Sequence, residues 1–304
     1  MALDTKILVI ALAALIVGAA LGAVASTLLA ETPQENEEPA GEAAVTATPS
    51  QAASELSEFC SVGYGLLDKI KERGVLRVGT SADWPPYEYI DSEGNFAGID
   101  IELAKRIAEG LGVELEIVDM KFAALFQAVQ SGKVDLVIAD VAMKPERLQA
   151  VDFTIPYRCE TSKVIIVKSG DAQSYSGYDW LAGKKIGVQA ATVEEELATK
   201  YFGDKAEIVA FDRVYPEMTL ALKTGRIDAM VTAPDVGEVV LAMEEGLEIV
   251  DSIPYFGCST VVVPHCAFSL KKEVSQIIWD LLQSGELQEI VEKETAVWLE
   301  QQGS

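Results

Sequence analysis

The sequence predicts an α/β protein with a largely parallel sheet, laid out as two similar lobes. Three observations carry that expectation. From Val75 onward, short β-branched runs alternate with amphipathic stretches of helical period. The alternation pauses at PYRCETSKVIIVK and restarts at KKIGVQ. Finally, QSGKVDLVIAD, Gln130 to Asp140, returns as KTGRIDAMVTA, Lys223 to Ala233, with Gly132 and Gly225 in corresponding places 93 positions apart.

In the first series VLRVGT is a strand, and Asp100 is placed to cap a helix, IELAKRIAEGLG, that stops at Gly112. VELEIV is the next strand, FAALFQAVQSG a helix and VDLVIA a strand. The second series repeats the order: strand KKIGVQ, helix TVEEELATKYFG, strand AEIVAF, a helix ending LALKTG, strand RIDAMVT and helix DVGEVVLAMEEG. Gly132 and Gly225 stand where a helix ends in the left-handed conformation, with Lys133 or Arg226 turned to water. The chain returns through PYFGCSTVVVP and finishes with helices SLKKEVSQIIWDLLQSG and ELQEIVEKETAVWLE, which bring no strands of their own and are expected to complete the first lobe.

The 304 residues suffice for about two domains, and 49% apolar content supplies a core. A formal charge of −24 spread along the chain leaves no basic face, so nucleic acid is excluded as a partner. Ile7 to Ala30 carries no charge over 24 positions, enough to span a bilayer. It reads as an export segment: an uncleaved anchor, or a secretory signal cut after Ala25. No cysteine sits at its end, which argues against a lipid-modified N-terminus. Residues 31–57, rich in Glu, Ala, Ser, Thr and Pro, have little to bury and read as a disordered tether. Outside the cell an even set of cysteines, Cys60, Cys159, Cys258 and Cys266, favours two disulfides, with three pairings open. Wide spacings and a single histidine, His265, speak against a metal site, and no cofactor is expected.

GVLRVGTSADWPPYEYIDSEGNFAGIDIELAKRIAEGLG followed by LFQAVQSGKVDLVIADVAMKPERLQAVDFTIPY resembles the extracytoplasmic solute-binding proteins of ABC transporters, polar amino-acid family (family 3). The likeness runs from about Leu67 to Val291. It implies a two-lobed periplasmic-binding-protein-like clamp of type II, with two hinge crossings at Tyr157–Ser162 and Phe256–Ser259, closing over one small ligand. Residues 58–157 and 259–304 would form lobe 1 and residues 158–258 lobe 2. Cys159–Cys258 would then join adjacent hinge strands, and Cys60–Cys266 would tie the N-terminal segment to lobe 1.

The same resemblance assigns a ligand set. Arg147 matches the arginine that grips the ligand's α-carboxylate, two parallel donors meeting two oxygens. Thr192 matches the second lobe's anion contact at a helix start, where it is equally an N-cap. Trp84 and Phe122 match the aromatic positions flanking the ligand side chain, either of which could instead be core. Two groups that hold the ligand's ammonium in the family are replaced here by Ala142 and Ala233. Asp140 stands where the family carries a small residue, so the ammonium-binding acid is expected to have moved to Asp140. Asp235, after Pro234, is a further candidate acid or a helix cap. Lys121, Lys144 and Glu194 to Glu196 read as solvated surface or cleft rim.

The function implied is capture of a small solute, an amino acid or derivative, and delivery to an ABC permease, by a monomer held at the membrane by its N-terminal segment. Pairing of Asp140 with Arg147 would instead favour a cationic or other non-amino-acid solute. An enzyme of the cyclohexadienyl dehydratase kind, with Asp140 as acid or base, is the catalytic alternative. A sensory input domain acting through a separate partner is a third.

Overall fold

The computed structural model describes residue 57 and residues 60–302. The apolar stretch at 7–30 and all of the proposed tether except Ser57 lie outside the described residues. Among the described residues no helix is long and apolar enough to cross a membrane.

The chain runs from α1 (Leu66–Arg73) into β1 (Val75–Thr80), then a small antiparallel sheet of β2 (Asp83–Trp84), β3 (Glu88–Ile90) and β4 (Phe96–Ala97). α2 (Ile99–Leu111), β5 (Glu114–Asp119), α3 (Leu125–Gln130) and β6 (Leu136–Val137) follow. β7 (Asp152–Lys168) leads to the second series: α4 (Ser169–Ala172), β8 (Lys185–Gln189), α5 (Val193–Phe202), β9 (Glu207–Phe211), α6 (Thr219–Lys223), β10 (Ala229–Thr232) and α7 (Pro234–Met243). β11 (Leu247–Val263) returns the chain to α8 (Phe268–Ser284) and α9 (Glu286–Gln302).

The eight-stranded sheet has the order β5-β1-β6-β11-β7-β10-β8-β9. β1 pairs in parallel with β5 and β6, and β8 does so with β9 and β10. Between these parallel wings lie β7 and β11, antiparallel to each other and 17 residues long each. At ~3.3 Å per residue both are long enough to serve two lobes. Their pairing sets Cys159 opposite Cys258, Glu160 opposite Gly257 and Arg158 opposite Ser259. Disulfides join Cys159 to Cys258 and Cys60 to Cys266.

The repeated KVD and RID motifs do the same work in both wings. Gly132 and Gly225 take φ of 72° and 75°, reversing the chain at the ends of α3 and α6. Three residues on, Asp135 accepts from the backbone N–H of Arg77 at 2.8 Å, and Asp228 accepts from that of Lys185 at 2.8 Å. Each aspartate also donates its own N–H to the carbonyl of that same residue, again at 2.8 Å. A short acid at this position thus locks the incoming strand against its parallel neighbour, β6 on β1 and β10 on β8.

α8 buries Leu270, Val274, Ile278 and Leu281 against Leu76, Leu103 and Ile107, a stripe at helical spacing that covers the first wing. α9 does not rest on that wing alone. Its Trp298, 3% exposed, packs beside Tyr89, whose ring centroid is 4.2 Å away, and against Tyr215, Val239 and Met243 of the second series.

The start of α2 departs from expectation. Gly98, not Asp100, precedes the helix, with φ 113°, and a Cβ there would come within 2.3 Å of the Tyr87 carbonyl oxygen. Asp100 falls inside the first turn with its carboxylate turned inward, where it accepts from the Asp140 N–H at 2.7 Å and the Tyr157 hydroxyl at 3.0 Å.

Candidate ligand-binding site

The parallel wings present the ends of β6 and β10 toward a cleft crossed by β7 and β11, the arrangement in which open α/β sheets bind ligands. Five of the six residues expected at the site line one cavity there: Trp84, Phe122, Asp140, Arg147 and Thr192. Glu88, Glu160, Lys163, Gln189 and Glu194 complete its polar wall. Asp235 lies elsewhere, on a separate cavity bordered by Tyr87, Arg158, Leu287 and Val291. The lobes are drawn together, leaving a cavity of about 20 Å³, room for about one water molecule.

Several polar contacts hold this closed arrangement. Asp83, 2% exposed, accepts from Gln189 Nε2 at 2.9 Å and the Val214 N–H at 2.7 Å, both from the second series. Burial pushes its carboxyl up to about 6. Arg213 reaches Asp119 at 2.8 Å, Lys121 pairs with Asp212, and Lys144 pairs with Glu196. Lys121 and Lys144, for which the sequence allows solvated surface or cleft rim, thus pair with acids of the second series at the rim.

Arg147 sits at the mouth. Its Nη1 donates to the Ala142 carbonyl at 2.8 Å and its Nη2 to the Ala191 carbonyl at 3.0 Å, one contact from each side of the cleft. The guanidinium carbon stands 4.9 Å from the Phe126 ring centroid and 5.7 Å from that of Phe122. Burial holds its pKa below the ordinary value, with Glu196 and Glu194 acting in the opposite sense. Among the described residues no carboxylate lies within ion-pairing distance of it. Thr192 caps α5, accepting from the Glu195 N–H at 3.4 Å and donating to the Gln189 carbonyl at 2.7 Å, while it lines the cavity.

Asp140 does not face the cleft as a free acid. It adopts φ 44°, a left-handed turn that aspartate tolerates better than most residues. Arg158 Nη1 donates to Oδ1 at 2.9 Å and to Oδ2 at 2.8 Å, Trp84 Nε1 to Oδ2 at 3.2 Å, and Ser259 Oγ to Oδ1 at 2.5 Å. Its partner is thus Arg158, on β7, and not Arg147. The other fork of Arg158 reaches Asp235 Oδ2 at 2.8 Å, and Tyr87 also donates to Asp235. Asp235 is therefore an anchor behind the cleft.

A second buried group of charges occupies the cavity wall. Lys163, 3% exposed, pairs with Glu160 and, at 2.6 Å, with Glu194. Burial opposes its charge, but Glu194 and Glu160 outweigh that and raise its pKa. Glu194, for which the sequence allows solvated surface or cleft rim, is only 3% exposed, because α5 begins at the cleft and its first turn faces inward. Glu88, 1% exposed, lies near Asp100, Asp140 and Asp83; burial, reinforced by those acids, holds its carboxyl well above the ordinary range. Burial likewise raises Asp100 to about 7. The sequence flagged none of Glu88, Arg158, Glu160 and Lys163. The one available sign was the density of charge in RCETSK, within an otherwise apolar strand that must find partners for it.

A profile of the bacterial extracellular solute-binding proteins, family 3, matches residues 76–296, and the chain belongs to that family. It is 31% identical over 231 residues to the L-cystine-binding protein TcyJ of Escherichia coli K12, covering 75% of this chain and 85% of the relative. An amino acid ABC transporter substrate-binding protein from Streptococcus pneumoniae, solved with L-arginine, superposes with TM-score 0.72 at 30% identity over 76% of this chain and 98% of its own. The ancestral amino acid-binding protein AncCDT-1, described as a precursor of cyclohexadienyl dehydratase, superposes with TM-score 0.71 at 31% identity over 75% of this chain and 99% of its own.

Proposed function

We propose that the protein captures a free amino acid or a close derivative outside the cell and hands it to an ABC permease, with no chemistry on the ligand. The carrying observation is Arg147. Arg158 and Lys163, the other strongly buried cations around the cavity, are each matched by carboxylates within the chain. Arg147 alone of these meets only carbonyl oxygens and aromatic faces, which leaves its charge and the remaining N–H groups of its fork to an incoming carboxylate. Its two carbonyl contacts come from opposite sides of the cleft, so a ligand bound there favours closure.

The relatives' names support the amino-acid class: one binds L-cystine and another was solved with L-arginine. The state of Asp140 supports binding over turnover, since both its oxygens are occupied by Arg158, Ser259 and Trp84. A ligand reaches so narrow a cavity only when the lobes part, which is the behaviour of a clamp. The apolar segment at 7–30 would keep such a clamp near its permease and raise its effective concentration there.

Titration of the full-length chain with the standard L-amino acids and L-cystine tests this. At least one should bind, and Arg147→Ala should weaken it by roughly 30-fold or more, the loss expected when one member of a buried, hydrogen-bonded charge pair is removed. Undiminished binding by Arg147→Ala would sink the assignment.

A further inference from the structure

An amino acid anchored on Arg147 brings an ammonium group into the same cavity, and that group needs an acceptor. Four acids line the cavity: Glu88, Asp140, Glu160 and Glu194. Asp140 is saturated by Arg158, Trp84 and Ser259. Glu194 is held by Lys163 at 2.6 Å and lies on the Arg147 side, where its charge bears on that guanidinium. Glu88 is buried, and burial, reinforced by Asp100, Asp140 and Asp83, holds its carboxyl well above the ordinary range, which makes it a poor match for a cation.

Glu88 Oε2, like Glu160 Oε2, lacks a hydrogen-bond partner among the described residues, so what sets Glu160 apart is its place at the crossing and the cations, Lys163 and Arg158, beside it. Its residue stands at the crossing, where β7 and β11 pass between the lobes, and its side chain is 9% exposed. One carboxyl oxygen pairs with Lys163, while Oε2 has no hydrogen-bond partner among the described residues. Arg158 Nη2 lies 3.7 Å from Oε2, beyond hydrogen-bonding distance, and is already committed to Asp235. A buried carboxyl oxygen left without a donor is costly unless something supplies one.

We propose that Glu160 is the acid that receives the α-ammonium group of the bound amino acid, and that it releases a proton to solvent as the ligand enters. The inference rests on the amino-acid reading above. The groups facing Glu160 are Arg158 and Lys163 from β7, Glu194 from α5, Asp140 from the turn after β6 and Tyr255 from β11. Burial raises the Glu160 carboxyl to about 7, with Lys163 and Arg158 drawing it down and Asp140 pushing it up. Near neutral pH a fraction of the molecules hold Glu160 protonated. A ligand cation at Oε2 supplies the missing positive charge and displaces that proton.

Calorimetry of the full-length chain in phosphate and in Tris, whose ionisation enthalpies differ, counts protons directly. With the tightest-binding L-amino acid as probe, the wild type should release roughly half a proton at pH 7 and more at pH 6. Glu160→Gln should abolish that release and weaken the amino acid by roughly 30-fold or more. It should leave the corresponding 2-hydroxy acid, which lacks the ammonium, bound about as in the wild type. Equal affinity for the amino acid in Glu160→Gln, or no proton release by the wild type between about pH 6 and 8, would overturn the assignment. The wild-type proton count decides even if the variant does not fold. Failure of every amino acid to bind the wild type would overturn the amino-acid reading and this inference together, whereas normal binding without proton release would remove Glu160 alone.

Discussion

Arg158→Met is the most informative single change away from the ligand. It removes two hydrogen bonds to Asp140, one to Asp235, and a guanidinium stacked 4.6 Å from the Tyr87 ring centroid. The Asp140 side chain is only 6% exposed, so it would remain buried with the Ser259 hydroxyl and the Trp84 indole as its remaining side-chain donors. Breaking a buried pair from one side costs about 3–5 kcal/mol, and the lost cation–π contact adds about 0.5–1. Asp235, 36% exposed at its side chain, can be rehydrated and contributes little. The total is roughly 4 kcal/mol, or on the order of 8–16 °C in Tm for a body of this size. Urea denaturation at neutral pH measures it. Because most of the penalty is the stranded carboxylate, Asp140→Asn/Arg158→Met should recover about 2 kcal/mol of it. A loss below about 1 kcal/mol for Arg158→Met, or a double variant no more stable than the single, would show that Asp140 is not held in a buried pair.

Two further outcomes follow from the same contacts. Burial raises Asp83 to about 6, so the folded chain holds a proton there that the unfolded chain gives up near pH 4; this stabilisation is complete below about pH 4 and is lost as pH rises through about 6. Asp83→Asn should flatten the pH dependence of urea stability between about pH 4 and 7 by up to roughly 3 kcal/mol, and an unchanged slope would contradict the assignment. Cys60→Ser/Cys266→Ser should cost about 2–5 kcal/mol in thermal or urea unfolding while leaving ligand affinity alone, since neither cysteine lines the cleft; a large change in affinity would count against that separation.

The parts of the molecule that were legible in the sequence are those set by local period and by turns. The alternation of VLRVGT, IELAKRIAEGLG and VELEIV, and the glycine-reversed motifs around Asp135 and Asp228, depend on neighbours within a few residues. Arg147, Thr192, Trp84 and Phe122 were legible because they occupy motif positions, and each lines the cavity. What stayed hidden was the pairing of buried charge. Asp140 finds Arg158 18 positions away, and Arg158 finds Asp235 77 positions away. Nothing in a linear pattern says which of several nearby cations a carboxylate will choose. The sequence therefore offers Asp140 to a ligand without showing that Arg158, Ser259 and Trp84 already meet its oxygens. Gly98 displaced Asp100 from its expected capping role because the close approach of the Tyr87 carbonyl forbids any Cβ there.

The Cys159–Cys258 bond constrains how such a clamp can move. It rivets the two connecting strands side by side at the point where they cross, so neither can slide past the other. Any opening must bend both as one ribbon. Arg158 and Glu160, one residue to either side of Cys159, and their facing partners Ser259 and Gly257, then travel as a single rigid threshold beneath the ligand. The walls can swing while the sill keeps its shape. A solute would thus meet the same acid on arrival as after capture, and the carboxyl that greets its cation is the one that gives up a proton to hold it.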